Sequence, residues 1–380
     1  MTGRASGPLR VLIVTPQGRG GAGGIDRVMD QLRMADEGRI DVQLLFAISR
    51  GSSHLNSLGH LPRTALLILW KGLRGEIDVV HLNLASNAST YRKVLLSWVC
   101  RLVGVPYVIH LHGALFHKFW AGLGGWRQRR VDGFFRQAGA SIVLGEVWRE
   151  VLLAHVPELG SRIHVVPNAS GRRQPARGNG TRPHILFLGQ LGQRKGVPDL
   201  VEALARLPTD RAWTATIAGN GEVEAVRERV AALGLTERVA VPGWVGGADV
   251  DQLLDQADIL ILPSYDENLP MSVIEAMAAG LAVIATPVGA TADIIRHGET
   301  GLLVTPGNVE EQAKALERLI GDAALRRQLG EAARRFHADA LDAATYLDRL
   351  LPAWRVAAGW DARVLTTKKQ LAGSTIPDLQ

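Results

Sequence analysis

The feature that most restricts the fold is an alternation of short apolar runs and helical stretches, which occurs twice along the 380 residues. Most runs are continuous Val, Ile and Leu segments bounded by turn residues, the pattern of parallel strands buried on both faces. The first series comprises residues 11–14, 42–46, 79–82, 108–111, 142–144 and 163–166. The second comprises residues 185–188, 215–218, 239–241, 259–262, 282–285 and 302–304, with helical stretches such as 197–206 and 222–233 between them. The two series predict an α/β protein.

Between the two series lies SGRRQPARGNGTRP, a stretch dominated by Gly, Pro and Arg, which is typical of a linker. A chain of this length is expected to form about two domains. We therefore predict two Rossmann-like, doubly wound domains, residues 1–170 and 184–340, joined by a linker at residues 171–183 and facing each other across a cleft. Residues 341–380 are expected to form a helical region followed by a loosely ordered tail.

The single cysteine, Cys100, excludes an internal disulfide and a Cys-rich zinc site, which favours a reducing compartment. The first apolar run has only the length of a strand, so no signal peptide is apparent. No stretch approaches the roughly 20 apolar residues that span a bilayer. We expect a cytoplasmic protein that is soluble, or peripheral on the inner face of the membrane.

The charge is divided unevenly along the chain. Residues 1–180 hold 23 basic and 11 acidic side chains, a net charge of +12, and residues 181–380 hold 20 and 26, a net charge of −6. A basic half suits nucleic acid, an anionic membrane surface or an acidic acceptor. Within it, residues 117–130, HKFWAGLGGWRQRR, interleave Phe119, Trp120 and Trp126 with cations, which is typical of an interfacial segment. An amphipathic helix with its tryptophans in the core is the alternative.

The segment ENLPMSVIEAMAAG, residues 267–280, keeps two glutamates in otherwise apolar surroundings. Pro270 suits a first helical turn and Gly280 suits a helix end, so Glu267 is expected in a strand-to-helix loop and Glu275 inside the helix. Most helical glutamates are simply solvated. The motif becomes informative only together with the loops around it.

Two other loops at predicted strand ends carry groups that suit phosphate. In GQLGQRKGV, residues 189–197, Arg194 and Lys195 come to the mouth of the predicted cleft. In GNGE, residues 219–222, Gly219 permits a close approach of the backbone to a ligand. A solvated basic loop is the simpler interpretation of the first stretch when it is taken alone.

Taken together, GQLGQRKG, IAGNGE, PGWV, ILPSYDENLPMSVIEAMAAGLAVIAT and HGETGLLVTPG closely resemble, in this order, the donor-binding domain of retaining GT-B glycosyltransferases. This is the family 4 group related to glycogen synthase, sucrose synthase and bacterial mannosyltransferases. The resemblance covers roughly residues 10–335 and is strongest over residues 185–306. It implies the GT-B fold, in which two Rossmann-like domains enclose the donor, and it implies that the helix within residues 341–380 crosses back to the first domain.

The resemblance implies roles for the glutamates and the cations. Glu275 would accept hydrogen bonds from the ribose hydroxyls of a sugar nucleotide, and Glu267 would contact hydroxyls of the donor sugar. Arg194 and Lys195 would neutralise the diphosphate leaving group. The residues whose backbone would face the sugar and phosphate oxygens at the positive end of the helix are Asn268, Leu269, Pro270 and Met271.

Further positions follow from the same resemblance. Gly23 and Gly24 match the family's glycine pair, which approaches the diphosphate from across the cleft, and Gly219 approaches the donor from the second domain. His112, in VIHLHGA, matches the family's active-site histidine. Gln190 stands where the family usually has arginine, so it can donate a hydrogen bond but supplies no charge.

Three other interpretations stay open. Gly18, Gly20 and Gly23 have the spacing of a dinucleotide fingerprint, and Arg50 at the end of the next strand could take a 2′-phosphate, as in an NADP-dependent oxidoreductase. The expected acidic residue is absent at that strand end, which ends in AISRG. A sugar-nucleotide epimerase of the same fold and a noncatalytic carbohydrate-binding module are the other two.

Asp249 and Asp251 imitate the Asp-x-Asp metal motif of other glycosyltransferases, but they lie at a predicted helix start, where acidic side chains cap helices. We therefore expect no metal site and no cofactor. The resemblance implies a retaining transferase that moves a hexose, mannose or glucose, from a nucleotide-diphosphate sugar to a polysaccharide or lipid-linked saccharide acceptor. The setting would be a bacterial polysaccharide or glycolipid pathway, with no nucleic-acid partner.

Overall fold

The structure is a computed structural model, and it describes residues 7–21, 23–35, 39–51, 56–178 and 182–360. The predicted tail up to residue 380 lies outside the described residues. The strands are β1 Leu9–Thr15, β2 Val42–Ile48, β3 Val79–Leu84, β4 Tyr107–Leu111, β5 Ala140–Val143, β6 Ile163–Val165, β7 His184–Leu188, β8 Thr214–Ala218, β9 Val239–Gly243, β10 Ile259–Leu262, β11 Ala282–Ala285 and β12 Leu302–Leu303.

The helices alternate with these strands. They are α1 Gly24–Ala35, α2 Ser57–Leu73, α3 Ala88–Leu102, α4 Phe116–Ala121, α5 Gly125–Arg136, α6 Glu146–His155, α7 Val197–Ala205, α8 Val223–Ala232, α9 Gly247–Gln256, α10 Met271–Ala279, α11 Thr291–Ile294, α12 Val309–Gly321, α13 Ala323–Phe336 and α14 Tyr346–Ala358.

Strands β1 to β6 form one parallel sheet in the order β2-β1-β3-β4-β5-β6. Both faces are covered, because successive side chains of a strand point to opposite sides. In β1, Val11 and Ile13 pack in one core with α1 and α14, whereas Leu12 and Val14 pack in the other with α2 and α3. This double burial explains why the strands appear in the sequence as continuous apolar runs.

Strands β7 to β12 form a second parallel sheet in the order β12-β11-β10-β7-β8-β9. All twelve predicted runs are strands, with small differences at the ends: β9 extends to Gly243, and β12 has only two residues. Two doubly wound α/β units with their own sheets are thus confirmed. A doubly wound sheet binds ligands beyond the carboxyl ends of its strands, so the space between the two sets of strand ends is the place to look for a site.

The chain returns to the first sheet at its C-terminal end. After α13, a π-helical turn at His337–Leu341 and a 3₁₀ turn at Ala343–Thr345 lead into α14, which packs against β3, β4 and β5. Trp354 of α14 is fully buried there. No helix in the described part of the chain is both long and apolar enough to cross a membrane.

Candidate functional site

A cavity of about 500 Å³ lies between the two units, and every predicted site residue lines it. Its walls come from the carboxyl ends of strands in both sheets, where the topology places ligand sites. The predicted residues around it are Gly23, Gly24, His112, Gln190, Arg194, Lys195, Gly219, Glu267, Asn268, Leu269, Pro270, Met271 and Glu275. Their roles remain predictions from the sequence, whereas their placement around one cavity is observed in the structure.

Glu267 is held rigidly in the loop between β10 and α10. Its side chain is 7% exposed, and its Oε1 forms an ion pair with the Nζ of Lys195 and accepts a hydrogen bond from Ser264 Oγ at 2.7 Å. Ser264 is fixed in turn because its carbonyl oxygen accepts a 2.6 Å hydrogen bond from Thr286 Oγ1. A carboxylate with one oxygen so bound can accept hydroxyl hydrogen bonds at its remaining lone pairs.

The cationic turn that follows β7 faces this carboxylate. Residues Gln193–Lys195 form a 3₁₀ turn that ends at Gly196, whose φ of +68° only glycine adopts readily, and where a Cβ would collide with the carbonyl oxygen of Pro263. Arg194 Nη1 donates to the backbone oxygen of Asp266 at 3.0 Å, and the carbonyl oxygen of Arg194 accepts from Tyr265 N. The turn therefore presents both cations to the cavity.

Glu275 lies just over one turn inside α10 and is 4% exposed. Its Oε1 forms a 2.6 Å ion pair with Nη2 of Arg27 from α1 of the other unit, whereas its Oε2 is buried and has no hydrogen-bond partner among the described residues. Burial raises the pKa of Glu275 above its usual value, and the Arg27 guanidinium opposes that shift. A buried carboxylate oxygen without a partner costs about 1–3 kcal/mol, so it is a candidate acceptor for ligand hydroxyls.

The start of α10 differs slightly from the prediction. Pro270 was expected in the first helical turn, but it is the N-cap with φ −74° and ψ 126°, and the helix begins at Met271. Proline has no N–H, so the first free amide of the helix belongs to Met271. Gly219 has a φ of +153°, and a Cβ there would collide with the carbonyl oxygen of Gly189, so only glycine fits this wall of the cavity.

Two asparagines join the units beside the cavity. Asn268 Nδ2 donates to Leu111 O at 3.0 Å, and Asn168 Nδ2 donates to Leu269 O at 3.1 Å. The Oδ1 atoms of both asparagines are buried without a partner. Lys118 adds an ion pair to Asp266, with Nζ 2.7 Å from Oδ1. These contacts hold the two walls together on the side where His112 lies.

His112 belongs to a chain of hydrogen bonds that reaches the C-terminal helix. Trp354 Nε1 donates to His81 Nδ1 at 2.9 Å, and His81 Nε2 lies 3.2 Å from His110 Nδ1 and 3.4 Å from Asn83 Oδ1. Asn83 Oδ1 also lies 2.9 Å from His112 Nε2, and its Nδ2 donates to Val14 O at 3.2 Å.

Only one proton arrangement satisfies this chain. Indole N–H groups only donate, so His81 carries its proton on Nε2, and Asn83 Oδ1 can only accept, so His112 carries its proton on Nε2. Burial lowers the pKa of His112 well below its usual value, which keeps the ring neutral. His112 thus has its lone pair on Nδ1 and can accept a hydrogen bond from a hydroxyl group.

Asp249 and Asp251, which imitate the Asp-x-Asp metal motif, both make structural contacts. Asp249 accepts from the Gly246 backbone N–H at 3.3 Å at the start of α9, and Asp251 pairs with Arg173 at 2.7 Å. Within the described ranges, no group of three or more His, Cys, Asp or Glu side chains could hold a metal ion.

Residues 117–130 divide into three parts, which corrects the interpretation of the whole segment as interfacial. Trp120 is fully buried in the core that contains Leu12 and Val14, where its ring stacks on Phe135 at a centroid distance of 4.8 Å. Its assignment to an interface is therefore wrong. Lys118 points into the cleft toward Asp266. The third part is the exposed start of α5, where Trp126 is 60% accessible beside Arg127 and Arg130.

Sequence reasoning missed several residues of the site. Arg27 contacts Glu275, Asn83 binds His112, and Trp354 reaches His81 from a position 273 residues away. Arg27 follows the glycine pair by one helical turn, which was a usable signal. Nothing in the spacing of the other two indicates their contacts.

Two glycosyltransferase family models match this chain, and so do individual glycosyltransferases. The family model of the glycosyl transferase 4-like domain matches residues 3–169, and that of glycosyl transferases group 1 matches residues 172–336. The chain is 28% identical over 295 residues to an alpha-D-kanosaminyltransferase of Streptomyces kanamyceticus, covering 70% of this chain and 75% of that one. It is 33% identical over 283 residues to a D-inositol 3-phosphate glycosyltransferase of Pseudarthrobacter chlorophenolicus, covering 68% and 66% of the two chains.

Among solved structures, Anabaena HepE in complex with UDP superposes with a TM-score of 0.73 at 20% identity, covering 90% of this chain and 99% of that one. HepE has also been solved in complex with UDP-glucose. At this identity the likeness shows the GT-B fold. Because the two family models together span both sheets and the cavity between them, the chain belongs to the group 1 glycosyltransferases.

Proposed function

We propose that the protein transfers a hexose, glucose or mannose, from a nucleotide-diphosphate sugar to a saccharide hydroxyl with retention of anomeric configuration. The observation that carries the donor assignment is the buried carboxylate of Glu275, whose Oε2 has no partner in a cavity that also contains Arg194 and Lys195. The cavity thus offers both an acceptor for a vicinal diol and two cations for a diphosphate.

In the proposed reaction, the glycosidic bond to the diphosphate breaks while Arg194 and Lys195 neutralise the negative charge that develops on the leaving oxygen. Glu267 is already bound by Lys195 and Ser264, which favours a role as hydroxyl acceptor over that of a nucleophile. The acceptor hydroxyl then attacks from the side of the departing diphosphate, which takes up the hydroxyl proton. The charge stabilisation comes from side chains, so we propose a metal-independent reaction without a cofactor.

The names of related proteins support a saccharide acceptor. A lipopolysaccharide core glycosyltransferase of Rhizobium meliloti is 33% identical over 150 residues, which covers 39% of this chain and 43% of that one. We propose a polysaccharide or a lipid-linked saccharide as the acceptor.

A thermal-shift screen of UDP-, GDP- and ADP-sugars tests the donor proposal. A ligand at about 100 times its dissociation constant adds roughly 2.7 kcal/mol to the free energy of unfolding, so the correct donor should raise the Tm clearly. The absence of a shift with all three classes would contradict the donor assignment. Turnover of a stabilising donor into another sugar nucleotide, without an acceptor, would identify an epimerase instead.

The proton arrangement of His112 leads to a separate prediction. If its Nδ1 accepts a hydroxyl hydrogen bond from the donor hexose, Asn83→Ala should weaken the binding of the sugar nucleotide by about 1 kcal/mol, or roughly fivefold, because the ring is no longer held. Binding of the free nucleotide diphosphate should not change. Calorimetric titration of both ligands checks this, and an equal loss for both would show that Asn83 acts on the fold and not on the hexose.

We also propose that the protein works at the surface of an anionic membrane. The outer side of three neighbouring helices, α2, α3 and α5, is apolar although it faces solvent. We call this the three-helix surface, and its exposed apolar residues are Leu58, Leu66, Trp70, Leu73, Tyr91, Leu95, Trp98, Leu102 and Trp126. An exposed patch of this kind marks an interaction site more often than a random surface.

Charge favours a bilayer as the partner. Helices α2, α3 and α5 contain nine Lys or Arg residues and one acidic residue, Asp132. The guanidinium of Arg130 lies 5.2 Å from the ring centre of Trp98 and 5.8 Å from that of Trp126, and that of Arg74 lies 4.8 Å from the ring centre of Trp70. Tryptophan at the headgroup level and cations over anionic lipid are the two elements of interfacial binding.

Sedimentation with vesicles tests the membrane proposal. Binding to vesicles that contain phosphatidylglycerol, weakened by salt, is expected, and little binding to pure phosphatidylcholine. Replacing Arg127, Arg129 and Arg130 with serine should weaken binding about 100-fold, since each cation contributes about 1 kcal/mol.

The matched control replaces three exposed cations of the second unit, Arg211, Lys314 and Arg318, with serine, and should bind like the wild type. Equal losses in both triple variants would show only a response to total charge. Binding to neither kind of vesicle would contradict the proposal. So would a dimer, detected by sedimentation velocity, in which the three-helix surface is buried between two copies of the chain.

A further inference from the structure

A lysine buried in the first unit has no acidic partner. Lys93, in the second turn of α3, is 1% exposed, and its Nζ donates to Ser49 Oγ at 2.9 Å and to Ser89 Oγ at 3.4 Å. Within the described ranges it forms no ion pair. Burial lowers the pKa of Lys93 to about 7. A buried ammonium that is held only by hydroxyl groups is unfavourable for folding, so its presence calls for a function.

Two arginines lie in the same region. Arg50 follows Ser49 at the end of β2, and Arg92 precedes Lys93 on α3. Neither takes part in an ion pair in the part of the chain that the structure describes, and Nε of Arg92 is buried without a hydrogen-bond partner. Their positive charges add to the effect of burial in lowering the pKa of Lys93, which means that the three cations share one electrostatic field.

Asp26 is a carboxylate near this cluster, but one of its oxygens already accepts two backbone hydrogen bonds. Asp26 Oδ1 accepts hydrogen bonds from the backbone N–H groups of Gln17 at 3.1 Å and Gly18 at 3.0 Å. Asp26 therefore holds the glycine-rich loop in place and can offset the charge of one guanidinium group. Because the pKa of Lys93 is about 7, a bound anion with two charges would favour the protonated form of Lys93 and be balanced by it together with the second guanidinium.

The cluster lies at the carboxyl ends of strands in the first sheet. Ser49 N and Oγ both donate to Thr15 O, so Lys93 lies under the carboxyl ends of β1 and β2. The loop from β3 to α3 closes the other side, and its Ser86 lies against Gly113, next to His112. That loop contains Asn87, whose φ of +58° is rarely adopted by a residue other than glycine. Strained backbone of this kind is common at ligand sites.

We propose that Arg50, Arg92 and Lys93 bind a phosphate or diphosphate group of the acceptor. The two half-buried guanidinium groups would donate to phosphate oxygens, and the ammonium beneath them would supply charge that water cannot screen. The donor diphosphate has its own cations, Arg194 and Lys195, in the cavity between the two units. This inference rests on the proposed function only in calling the bound molecule an acceptor, because the anion site itself can be tested without turnover.

Thermal shift with inorganic pyrophosphate tests the site, in the full chain saturated with UDP so that the donor cations are occupied. Ionic strength is matched with sodium chloride. Pyrophosphate should raise the Tm of the wild type, and its apparent affinity should fall at least tenfold in Lys93→Met and in Arg50→Gln. The controls Lys314→Met and Arg318→Gln, both exposed in the second unit, should respond like the wild type.

A second measurement separates binding from a structural role. Without anion, Lys93→Met should have a Tm equal to or above that of the wild type, because it removes a buried charge that lacks an acidic partner, and its UDP affinity should not change. A lower Tm together with unchanged pyrophosphate binding would make Lys93 a structural residue and overturn the proposal. Failure of UDP to bind the wild type would exclude a uridine donor, and GDP or ADP would then replace UDP in the same experiment. Failure of all three would contradict the proposed donor, whereas the loss of pyrophosphate affinity in Lys93→Met would still test the anion site.

The source of the phosphate is then distinguished with two probes, glucose 1-phosphate and farnesyl diphosphate. Tighter binding of the first, lost in Lys93→Met, supports a soluble sugar phosphate as the acceptor. Tighter binding of the second, lost in the same variant, supports a prenyl-linked acceptor, which fits a site near the N-terminal end of α3, the helix whose outer side forms part of the three-helix surface. Binding of neither probe, or binding that Lys93→Met leaves unchanged, overturns the assignment.

Discussion

Lys195→Ala should lower kcat by on the order of 10²-fold or more, comparable to the loss of one oxyanion donor. Lys195 is 13% exposed and contacts Glu267 directly, so its ammonium lies in a partly dehydrated site where charge stabilisation is strong. Its effect should appear in kcat more than in the affinity for the donor, because the diphosphate gains charge as the glycosidic bond breaks. Steady-state kinetics with the donor identified by thermal shift measures both quantities.

Lys118→Ala is the matched control, since Lys118 is also a cleft lysine paired with a carboxylate, but it is 59% exposed. Its loss should change kcat by less than about tenfold, in line with the small contribution of exposed ion pairs. EDTA should leave the wild-type activity largely intact. A strict requirement for added Mg²⁺ or Mn²⁺ would contradict the metal-independent proposal and bring Asp249 and Asp251 back into consideration.

Glu275→Ala should weaken the binding of both the free nucleotide diphosphate and the sugar nucleotide by on the order of 1–3 kcal/mol, or about 5- to 150-fold. The reason is that the carboxylate, with its unpartnered Oε2, is proposed to accept from the ribose hydroxyls that both ligands share. Glu267→Ala is the control, because it should reduce turnover while keeping most of the affinity for the nucleotide. Equal nucleotide affinity in wild type and Glu275→Ala would refute the ribose assignment.

Much of the fold could be predicted because its cause is local. A strand buried on both faces must be continuously apolar, and a helix that ends in the left-handed conformation favours glycine, as at Gly280 with a φ of +75°. The placement of Glu267 and Lys195 in one cavity also follows from topology, since parallel strands end at the same edge of their sheet.

What could not be predicted depends on contacts between distant parts of the chain. The ion pair of Arg27 with Glu275 requires the two units to meet, and the hydrogen bond of Trp354 to His81 requires the return of α14 to the first sheet. Trp120 and Trp126 show the same limit at short range. Both stand near cations in the sequence, but only the packing of Trp120 on Phe135 decides that one is core and the other surface.

The most direct test of the central claim, hexosyl transfer with retention at this cavity, is proton NMR of the glycoside formed from an α-linked donor. Concentrated protein is mixed with the stabilising nucleotide-hexose and methanol as a simple acceptor, and the anomeric proton of the methyl glycoside, which does not change configuration in water, is observed. The account predicts that the methyl glycoside has the α configuration, and that Lys195→Ala slows its formation by on the order of 10²-fold or more while still binding nucleotide. Formation of the β-glycoside, or identical rates in wild type and Lys195→Ala, would contradict it.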